Sequence, residues 1–214
     1  MKKTVALLLC LIFCLGALTF AEEETWTCPN CGGTSRFSYC PKCGKPKPDP
    51  VCYADITIKE YGTVTVRLET EKAPITTNNF IRLARSGFYD GLTFHRIIAG
   101  FMMQGGDPNG DGSGGSGTNI VGEFRDNGRD TGLNHTRGAV SMARSDSPNS
   151  ASSQFFIVHQ DSPHLDGQYA VFGYVTEGMD VVDKVCADAR PINNNGIIPA
   201  SAQPVIEKIT IRYE

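Results

Sequence analysis

The chain has 214 residues and a hydrophobic content of 40%, enough for the core of one domain of about 150 residues with small attachments. Its 23 glycines and 9% aromatic residues are typical of a soluble protein with many turns, and they exclude a disordered chain or one with several membrane spans. The formal charge is −3 and no basic stripe is present, so a nucleic-acid partner is not expected.

Residues 1–21 differ in composition from the rest of the chain. Lys2 and Lys3 precede an apolar run over residues 4–20, and three glutamates follow from residue 22. A basic start, an apolar run and a polar flank are typical of a secretory signal peptide, so we expect cleavage after Ala21 and an exported protein, secreted or in the cell envelope. The run approaches the roughly 20 residues that cross a bilayer, so an uncleaved membrane anchor is the alternative.

A cysteine motif repeats within residues 25–44. The sequence C-P-x-C-G occurs twice and supplies Cys28, Cys31, Cys40 and Cys43. Each C-x-x-C turn presents two thiolates to one ion, so the pair predicts a closed tetrahedral site for structural zinc in a module similar to the short zinc ribbons, with a hairpin through residues 36–39. Zinc would supply most of the folding energy of so small a unit. A pair of disulfides in an oxidising compartment is the alternative.

Residues 45–52 alternate proline with polar residues, which indicates an extended, semi-rigid linker. The linker predicts a domain boundary, with the main domain over residues 53–214. Glycine-rich residues 112–117 match G-x-G-x-x-G, but no helix follows them, so a dinucleotide site is not expected. The preceding acidic residues begin like a calcium loop, but Thr118 stands where the bidentate glutamate belongs. A tight polar loop is the prediction for this segment.

The main domain is predicted to be mainly β. A helix is expected to begin at Pro74 with Phe80 on its buried face, and a second helix fits residues 179–187. Two separated helices among about eight strands favour a closed antiparallel barrel over a parallel sheet. The strands are predicted from short β-like runs, with Val64, Val66 and Leu68 alternating on one face of the second run. The predicted strands cover residues 54–58, 61–70, 93–98, 101–104, 139–143, 153–158, 170–175 and 205–213.

Two isolated cysteines, Cys52 and Cys186, lie in the main domain. In an exported protein they could form a disulfide. Two buried, unpaired thiols are the alternative, which we favour slightly. His159 and His164 lack the surrounding ligands of a usual metal set and are expected to be structural or surface residues.

Several sequence blocks resemble the cyclophilin signature in order and spacing. They are F-H-R-I-I from residue 94, G-F-M-M-Q-G-G-D from residue 100, S-M-A from residue 141 and S-S-Q-F-F-I from residue 152, with L-D-G, V-F-G and E-G-M following. The resemblance spans about residues 54–213. It implies a closed eight-stranded antiparallel barrel capped by two helices, a surface groove for Xaa-Pro in polypeptides, and peptidyl-prolyl cis/trans isomerase activity without a cofactor.

By the same resemblance, Arg96 is the catalytic residue. The barrier to rotation of a peptide bond is amide resonance, so a charged donor that localises the nitrogen lone pair lowers the barrier without a nucleophile or a proton shuttle. The resemblance also implies a set of peptide-binding residues, namely His95, Phe101, Met102, Gln104, Ala143, Gln154, Phe156, Leu165, His164 and Tyr169.

Two positions depart from the family pattern. His164 stands where cyclosporin-sensitive members carry tryptophan, and Tyr169 stands where many eukaryotic members carry histidine. We therefore expect weak cyclosporin binding and an altered peptide preference, with activity retained.

Three functions are compatible with these features. The first is a foldase for exported proteins, which the arginine and the groove favour. The second is a binding module that recognises proline segments, or whose zinc ribbon docks on a partner protein. The third is a metal-handling envelope protein, which a closed four-cysteine set disfavours.

Overall fold

The computed structural model describes residues 25–45 and 50–214. These residues form two compact units separated at the linker. The predicted leader, residues 1–21, and residues 46–49 of the predicted linker lie outside the described residues. No helix within the described ranges is long and apolar enough to cross a membrane.

The smaller unit is built on a two-stranded antiparallel sheet. Strand β1 (Trp26–Thr27) pairs with β2 (Thr34–Ser35), so the sheet encloses the first cysteine turn. The prediction of a hairpin through residues 36–39 is wrong, because the paired strands flank residues 28–33 and residues 36–38 form a bend. The Ser35 hydroxyl stabilises the bend by accepting the Phe37 amide at 3.1 Å and donating to the Tyr39 carbonyl at 2.7 Å.

The larger unit is mainly β, as predicted. Its eight strands are β3 (Cys52–Ile58), β4 (Gly62–Leu68), β5 (Thr93–Ile98), β6 (Met102–Asp107), β7 (Ala139–Met142), β8 (Phe155–Val158), β9 (Val171–Glu177) and β10 (Ile206–Tyr213). They follow the order β10-β3-β4-β9-β7-β8-β6-β5 in the sheet, and every neighbouring pair is antiparallel. The sheet curls until its two edges meet at a bridge between Thr93 and Val205, which closes the barrel approximately.

Two helices accompany the barrel, α1 (Pro74–Arg85) and α2 (Met179–Asp188), and both were predicted. Pro74 suits the first turn of α1 because its missing N–H would have no helical partner there. The cap of this helix comes from a distant residue: the Glu123 carboxylate accepts the amides of Ile75 at 3.0 Å and Thr76 at 2.7 Å, and also the Thr76 hydroxyl at 2.7 Å. A buried carboxylate thus satisfies two amides that the helix itself leaves unpaired.

The apolar side chains form two separate layers. Phe80, Phe94 and Phe155 belong to the core inside the barrel. A smaller cluster, which includes Met102 and Phe156, lies on the opposite face of β6 and β8. Neighbouring residues of a strand point to opposite faces of the sheet, so Phe155 packs into the core while Phe156 is available outside it.

Cys52 and Cys186 are both buried and free. Burial raises the pKa of the Cys52 thiol, and it raises that of Cys186 to about 11. Both thiols are therefore protonated and unreactive at neutral pH. This arrangement is the unpaired alternative favoured from the sequence.

Candidate active site

A cleft of about 150 Å³ opens on the outer apolar cluster of the barrel. The β5–β6 hairpin supplies one wall and the segment around Leu165 supplies another. Its lining residues are Arg96, Phe101, Met102, Gln104, Ala143, Arg144, Phe156, Leu165 and Tyr169.

The base of the cleft is apolar and firmly packed. Met102 and Phe156 are 1% and 5% exposed, so each presents only a small patch to the cleft. The edge of Tyr169 meets the Phe156 ring with centroids 6.0 Å apart, and the Phe101 ring contacts His164 at 5.4 Å. Such a surface removes a small apolar ring from water, which is the main contribution to binding a proline side chain.

Arg96 brings a charged donor to this apolar surface. Its Nε donates to the Asn195 carbonyl at 2.7 Å, and its Nη1 donates to Gln104 Oε1 at 3.2 Å. Its Nη2 donates to no residue that the structure describes, so these N–H groups are available to a bound ligand. Partial burial lowers the pKa of the guanidinium, but arginine remains charged at neutral pH.

A chain of amide groups holds the Nη1 side of Arg96. Gln104 Nε2 donates to Gln154 Oε1 at 2.9 Å, and Gln154 Nε2 donates to the carbonyls of Gly112 and Gly114 at 3.0 and 2.8 Å. Every donor in the chain points away from Arg96, so the arrangement fixes the orientation of both glutamine amides. The glycine-rich loop therefore supports the arginine through the two glutamine side chains.

The glycine-rich loop owes its shape to Asp107 at the end of β6. One oxygen of this buried carboxylate accepts the Asn109 amide at 2.9 Å. The other oxygen accepts the amides of Asp111 and Gly112 at 3.1 and 2.6 Å. The loop is a tight polar turn, as the sequence predicted.

Arg144 lines the cleft but was not among the predicted residues. Its guanidinium lies 4.7 Å from the Tyr169 ring centroid and 5.2 Å from that of Phe124, and its Nε donates to the Gln168 carbonyl at 3.0 Å. Cation–π contacts of this kind hold an arginine flat against aromatic rings. No sequence pattern indicated this role, and the only available signal was that Arg144 follows Ala143 directly.

A buried histidine supports the cleft from behind, and it too was missed. His135 stacks on Phe156 with centroids 6.0 Å apart, while its Nδ1 contacts Asp166 Oδ1 at 2.9 Å and its Nε2 contacts Ser141 Oγ at 3.0 Å. Burial lowers the pKa of His135, although the Asp166 carboxylate opposes that effect. The network ties the segment that carries Leu165 to the β7–β8 wall.

The structure gathers most of the predicted site residues. Gln154 lines a second, more polar cleft of about 230 Å³ that adjoins the first at Gln104, and His164 lies exposed beside Phe101. The predicted site residues that line the first cleft are Arg96, Phe101, Met102, Gln104, Ala143, Phe156, Leu165 and Tyr169.

His95 lies elsewhere, which corrects its expected place in the groove. A β-bulge separates it from its neighbours: Phe94 and Arg96 pair with the consecutive residues Gly105 and Gln104 of β6, so His95 is the extra residue of β5. The side chain is 1% exposed and neither ring nitrogen has a hydrogen-bond partner among the described residues. Burial lowers the pKa of His95, and the neutral ring packs against the glycine-rich loop instead of lining the cleft.

The smaller unit contains a candidate metal centre. The sulfur atoms of Cys28, Cys31, Cys40 and Cys43 all lie within 4.8 Å of one another, with 3.6 Å between Cys28 and Cys43 and 3.5 Å between Cys31 and Cys40. Four thiolates around one zinc ion at about 2.3 Å would be about 3.8 Å apart, so the donor set and its spacing fit a tetrahedral zinc site.

The repeated motif produces the same turn twice in this centre. The Cys28 amide donates to the Gly33 carbonyl at 2.8 Å and the Gly32 amide donates to the Cys28 carbonyl at 2.9 Å. The equivalent bonds at Cys40, to the Lys45 carbonyl and from the Gly44 amide, are 2.7 and 2.8 Å. Gly32 and Gly44 both adopt positive φ, +68° and +71°, which explains the glycine that ends each motif.

The fold and the site together define a peptide-binding β-barrel with an arginine at an apolar cleft. The model of the cyclophilin type peptidyl-prolyl cis-trans isomerase family matches residues 53–211. The chain belongs to this family, as the sequence blocks indicated, and its activity is that of a peptidyl-prolyl cis-trans isomerase.

Curated relatives are also named as peptidyl-prolyl cis-trans isomerases. The chain is 42% identical over 154 residues to peptidyl-prolyl cis-trans isomerase-like 1 of Gibberella zeae, an alignment that covers 69% of this chain and 93% of the relative. It is 44% identical over 135 residues to a peptidyl-prolyl cis-trans isomerase of Helicobacter pylori, with 62% and 79% covered. Both alignments span most of the relative.

A solved structure confirms the fold class. A Cryptosporidium parvum cyclophilin type peptidyl-prolyl cis-trans isomerase, crystallised in the presence of the dipeptide Ala-Pro, superposes with a TM-score of 0.67 and 30% identity. The match covers 76% of this chain and 99% of that structure. The smaller unit and its four cysteines lie outside residues 53–211, which the family model matches.

Proposed function

We propose that this isomerase assists the folding of exported proteins, with Arg96 as its catalytic residue. The observation that carries the catalytic assignment is the state of the Arg96 guanidinium. Two of its nitrogens are fixed by Asn195 and Gln104, while Nη2 is left for a ligand at the edge of an apolar cleft. The signal-like composition of residues 1–21 supports the cellular role.

Rotation about an Xaa-Pro bond needs no covalent chemistry. Its barrier of about 18–20 kcal/mol comes from amide resonance, which is lost as the bond twists and the nitrogen becomes pyramidal. Met102 and Phe156 can hold the proline ring in either isomer, but binding both isomers equally does not accelerate their exchange. Acceleration requires an interaction that strengthens in the twisted state.

Arg96 can supply that interaction. Its free N–H groups can donate toward the proline nitrogen or the adjacent carbonyl, where electron density accumulates during the twist. The partly buried site strengthens this contact, because less water competes for the donor. An acceleration of about 10⁵ needs only about 7 kcal/mol, which one charged donor and a positioned ring can provide together.

Proline isomerisation is slow enough to limit folding, so an exported isomerase would act on newly translocated chains. The test is a refolding assay on a secreted protein whose slow phase is proline-limited, together with localisation of chains expressed with and without residues 1–21. We expect a faster slow phase and export only of the chain that keeps the leader. Activity on short peptides without an effect on the slow phase, or cytoplasmic retention of the full chain, would contradict the proposal.

The smaller unit is proposed to hold one structural zinc ion. The closed set of four thiolates leaves no position for a substrate, so the ion would stabilise the unit and play no part in isomerisation. Purified protein should contain about one zinc per chain. Cys40→Ser should lower that content, whereas Cys186→Ser, in the barrel, should leave it unchanged. Two disulfides and no metal, detected by mass spectrometry, would overturn this assignment.

Exposed aromatic rings on the smaller unit favour a docking role as a second function. Phe37 and Tyr39 are 47% and 51% exposed, and their rings stack with centroids 5.8 Å apart. Rings paired in this way offer a flat apolar surface for another polypeptide. The test compares the double variant Phe37→Ser/Tyr39→Ser with the wild type on an unfolded protein and on a short Xaa-Pro peptide. A docking role predicts that the double variant loses activity on the unfolded protein but keeps wild-type activity on the short peptide. Wild-type activity of the double variant on both substrates would exclude the docking role.

A further inference from the structure

The segment between α2 and β10 contributes a backbone group to the site. Residues 191–197 run beside β5, where the Ile97 amide donates to the Gly196 carbonyl at 2.8 Å and Ile197 forms a bridge with Arg96. The Asn195 carbonyl of this loop accepts Nε of Arg96 at 2.7 Å. The loop therefore decides where one edge of the guanidinium lies.

The Asn193 side chain shapes this loop. Its Oδ1 accepts the amide of Asn195 at 3.0 Å and that of Ile197 at 3.3 Å. Its own carbonyl accepts the Gly196 amide at 3.1 Å. An asparagine that bonds its own backbone two residues on forms an Asx-turn, which fixes the intervening peptide. Through these bonds Asn193 determines the direction of the Asn195 carbonyl.

Gly196 holds the loop close to the strand. Its φ is +81°, and a Cβ atom at this position would lie 2.4 Å from Cγ1 of Ile98 and 2.7 Å from the Ile97 carbonyl oxygen. Only glycine combines this conformation with so close an approach. The loop therefore cannot move far from β5, and the remaining freedom of the Asn195 carbonyl is controlled by Asn193.

We propose that Asn193 is a positioning residue for isomerisation, acting through the Asn195 carbonyl on the guanidinium of Arg96. Two fixed points, Asn195 on Nε and Gln104 on Nη1, define the plane of the guanidinium and so the direction in which Nη2 donates. Loss of one of these two hydrogen bonds would let the guanidinium plane of Arg96 rotate, while the apolar base of the cleft would be unchanged. This inference rests on the proposed catalytic role of Arg96.

The experiment measures kcat and KM on an Xaa-Pro peptide for wild type and loop variants, at a temperature where all are folded. Asn193→Ala should lower kcat about tenfold with little change in KM, since small misplacements of a catalytic group are costly. Asn193→Asp keeps an acceptor oxygen for both amides and should restore most of the activity. Asn194→Ala is the matched control, because Asn194 is exposed and makes no hydrogen bond to a described residue, and it should behave as wild type.

A double-mutant cycle separates positioning from a general structural effect. In an Arg96→Ala background, Asn193→Ala should cause no further loss, because the group that it positions is gone. A further tenfold loss there, or wild-type kcat in Asn193→Ala, would overturn the inference while the role of Arg96 stands. Full activity of Arg96→Ala alone would instead remove the proposed catalytic role, and the inference with it.

Discussion

Replacement of Arg96 by alanine removes a charged donor from the cleft and leaves its apolar base in place. Removal of one preorganised donor to a transition state costs about 2.7–4 kcal/mol, or a factor of about 10²–10³ in rate. Peptide affinity should change much less, because Met102 and Phe156 still contact the proline ring. We therefore expect the loss in kcat rather than in KM.

The stability cost of Arg96→Ala should be small. The substitution removes hydrogen bonds to the Asn195 carbonyl and to Gln104 at a partly exposed site. At a partly exposed site such bonds contribute about 1 kcal/mol each, which corresponds to a few degrees in Tm, about 2–4 °C per kcal/mol for a domain of this size. A folded, inactive variant is therefore the expected product.

Two further variants, Arg96→Lys and Arg144→Ala, serve as comparisons for Arg96→Ala. Lysine should rescue poorly, since one ammonium group cannot hold Asn195 and Gln104 and also donate to the substrate. Arg144→Ala also removes an arginine from the cleft, but its guanidinium is occupied by aromatic rings and backbone carbonyls, so the smaller loss should appear in KM. The assay couples isomerisation of an Ala-Pro-Phe peptide to proteolysis, with melting curves for each variant. Near-normal kcat in folded Arg96→Ala would refute the mechanism.

Three further measurements test other parts of the structure. Glu123→Ala should lower the free energy of unfolding, measured by urea denaturation, by about 3 kcal/mol, because two helix amides lose a buried charged acceptor. Glu123→Gln should lower it by less. A decrease below about 0.5 kcal/mol for Glu123→Ala would contradict the role of Glu123 as the helix cap. Burial lowers the pKa of His95 and of His135. The unfolded chain therefore binds more protons below about pH 6.5, and stability should fall on acidification by up to about 1.4 kcal/mol per pH unit for each histidine. His95→Leu should flatten that decline, and a Tm that is constant from about pH 7 to about pH 5 would exclude the effect. Cyclosporin should inhibit the wild type weakly, and His164→Trp should strengthen inhibition by adding apolar area and an indole donor beside Phe101; unchanged inhibition would show that this position does not limit drug binding.

Much of the fold follows from local sequence. Short β-like runs predicted all eight barrel strands, and Pro74 marked the start of α1. The two C-P-x-C-G motifs produce the same turn because its hydrogen bonds and its glycine conformation lie within six residues. The cleft residues were predicted from family blocks rather than from physics alone, since Met102 and Phe156 read by themselves as ordinary core residues.

Tertiary structure decided which groups meet. Glu123 caps α1 although it lies 48 residues after Ile75 in the sequence. The Asn195 carbonyl accepts a hydrogen bond from Arg96 although the two residues are 99 positions apart. No local pattern reports such pairs, because they depend on how the barrel strands align and where the connecting loops return. The same alignment separates neighbours: Arg96 lines the cleft, whereas His95 is the extra residue of a bulge in β5 and is buried away from the cleft. Sequence determines helices and turns because their hydrogen bonds are local, and it indicates the strands through their apolar and β-branched residues. The pairing of the strands and the orientation of the guanidinium depend on contacts between residues far apart in the chain.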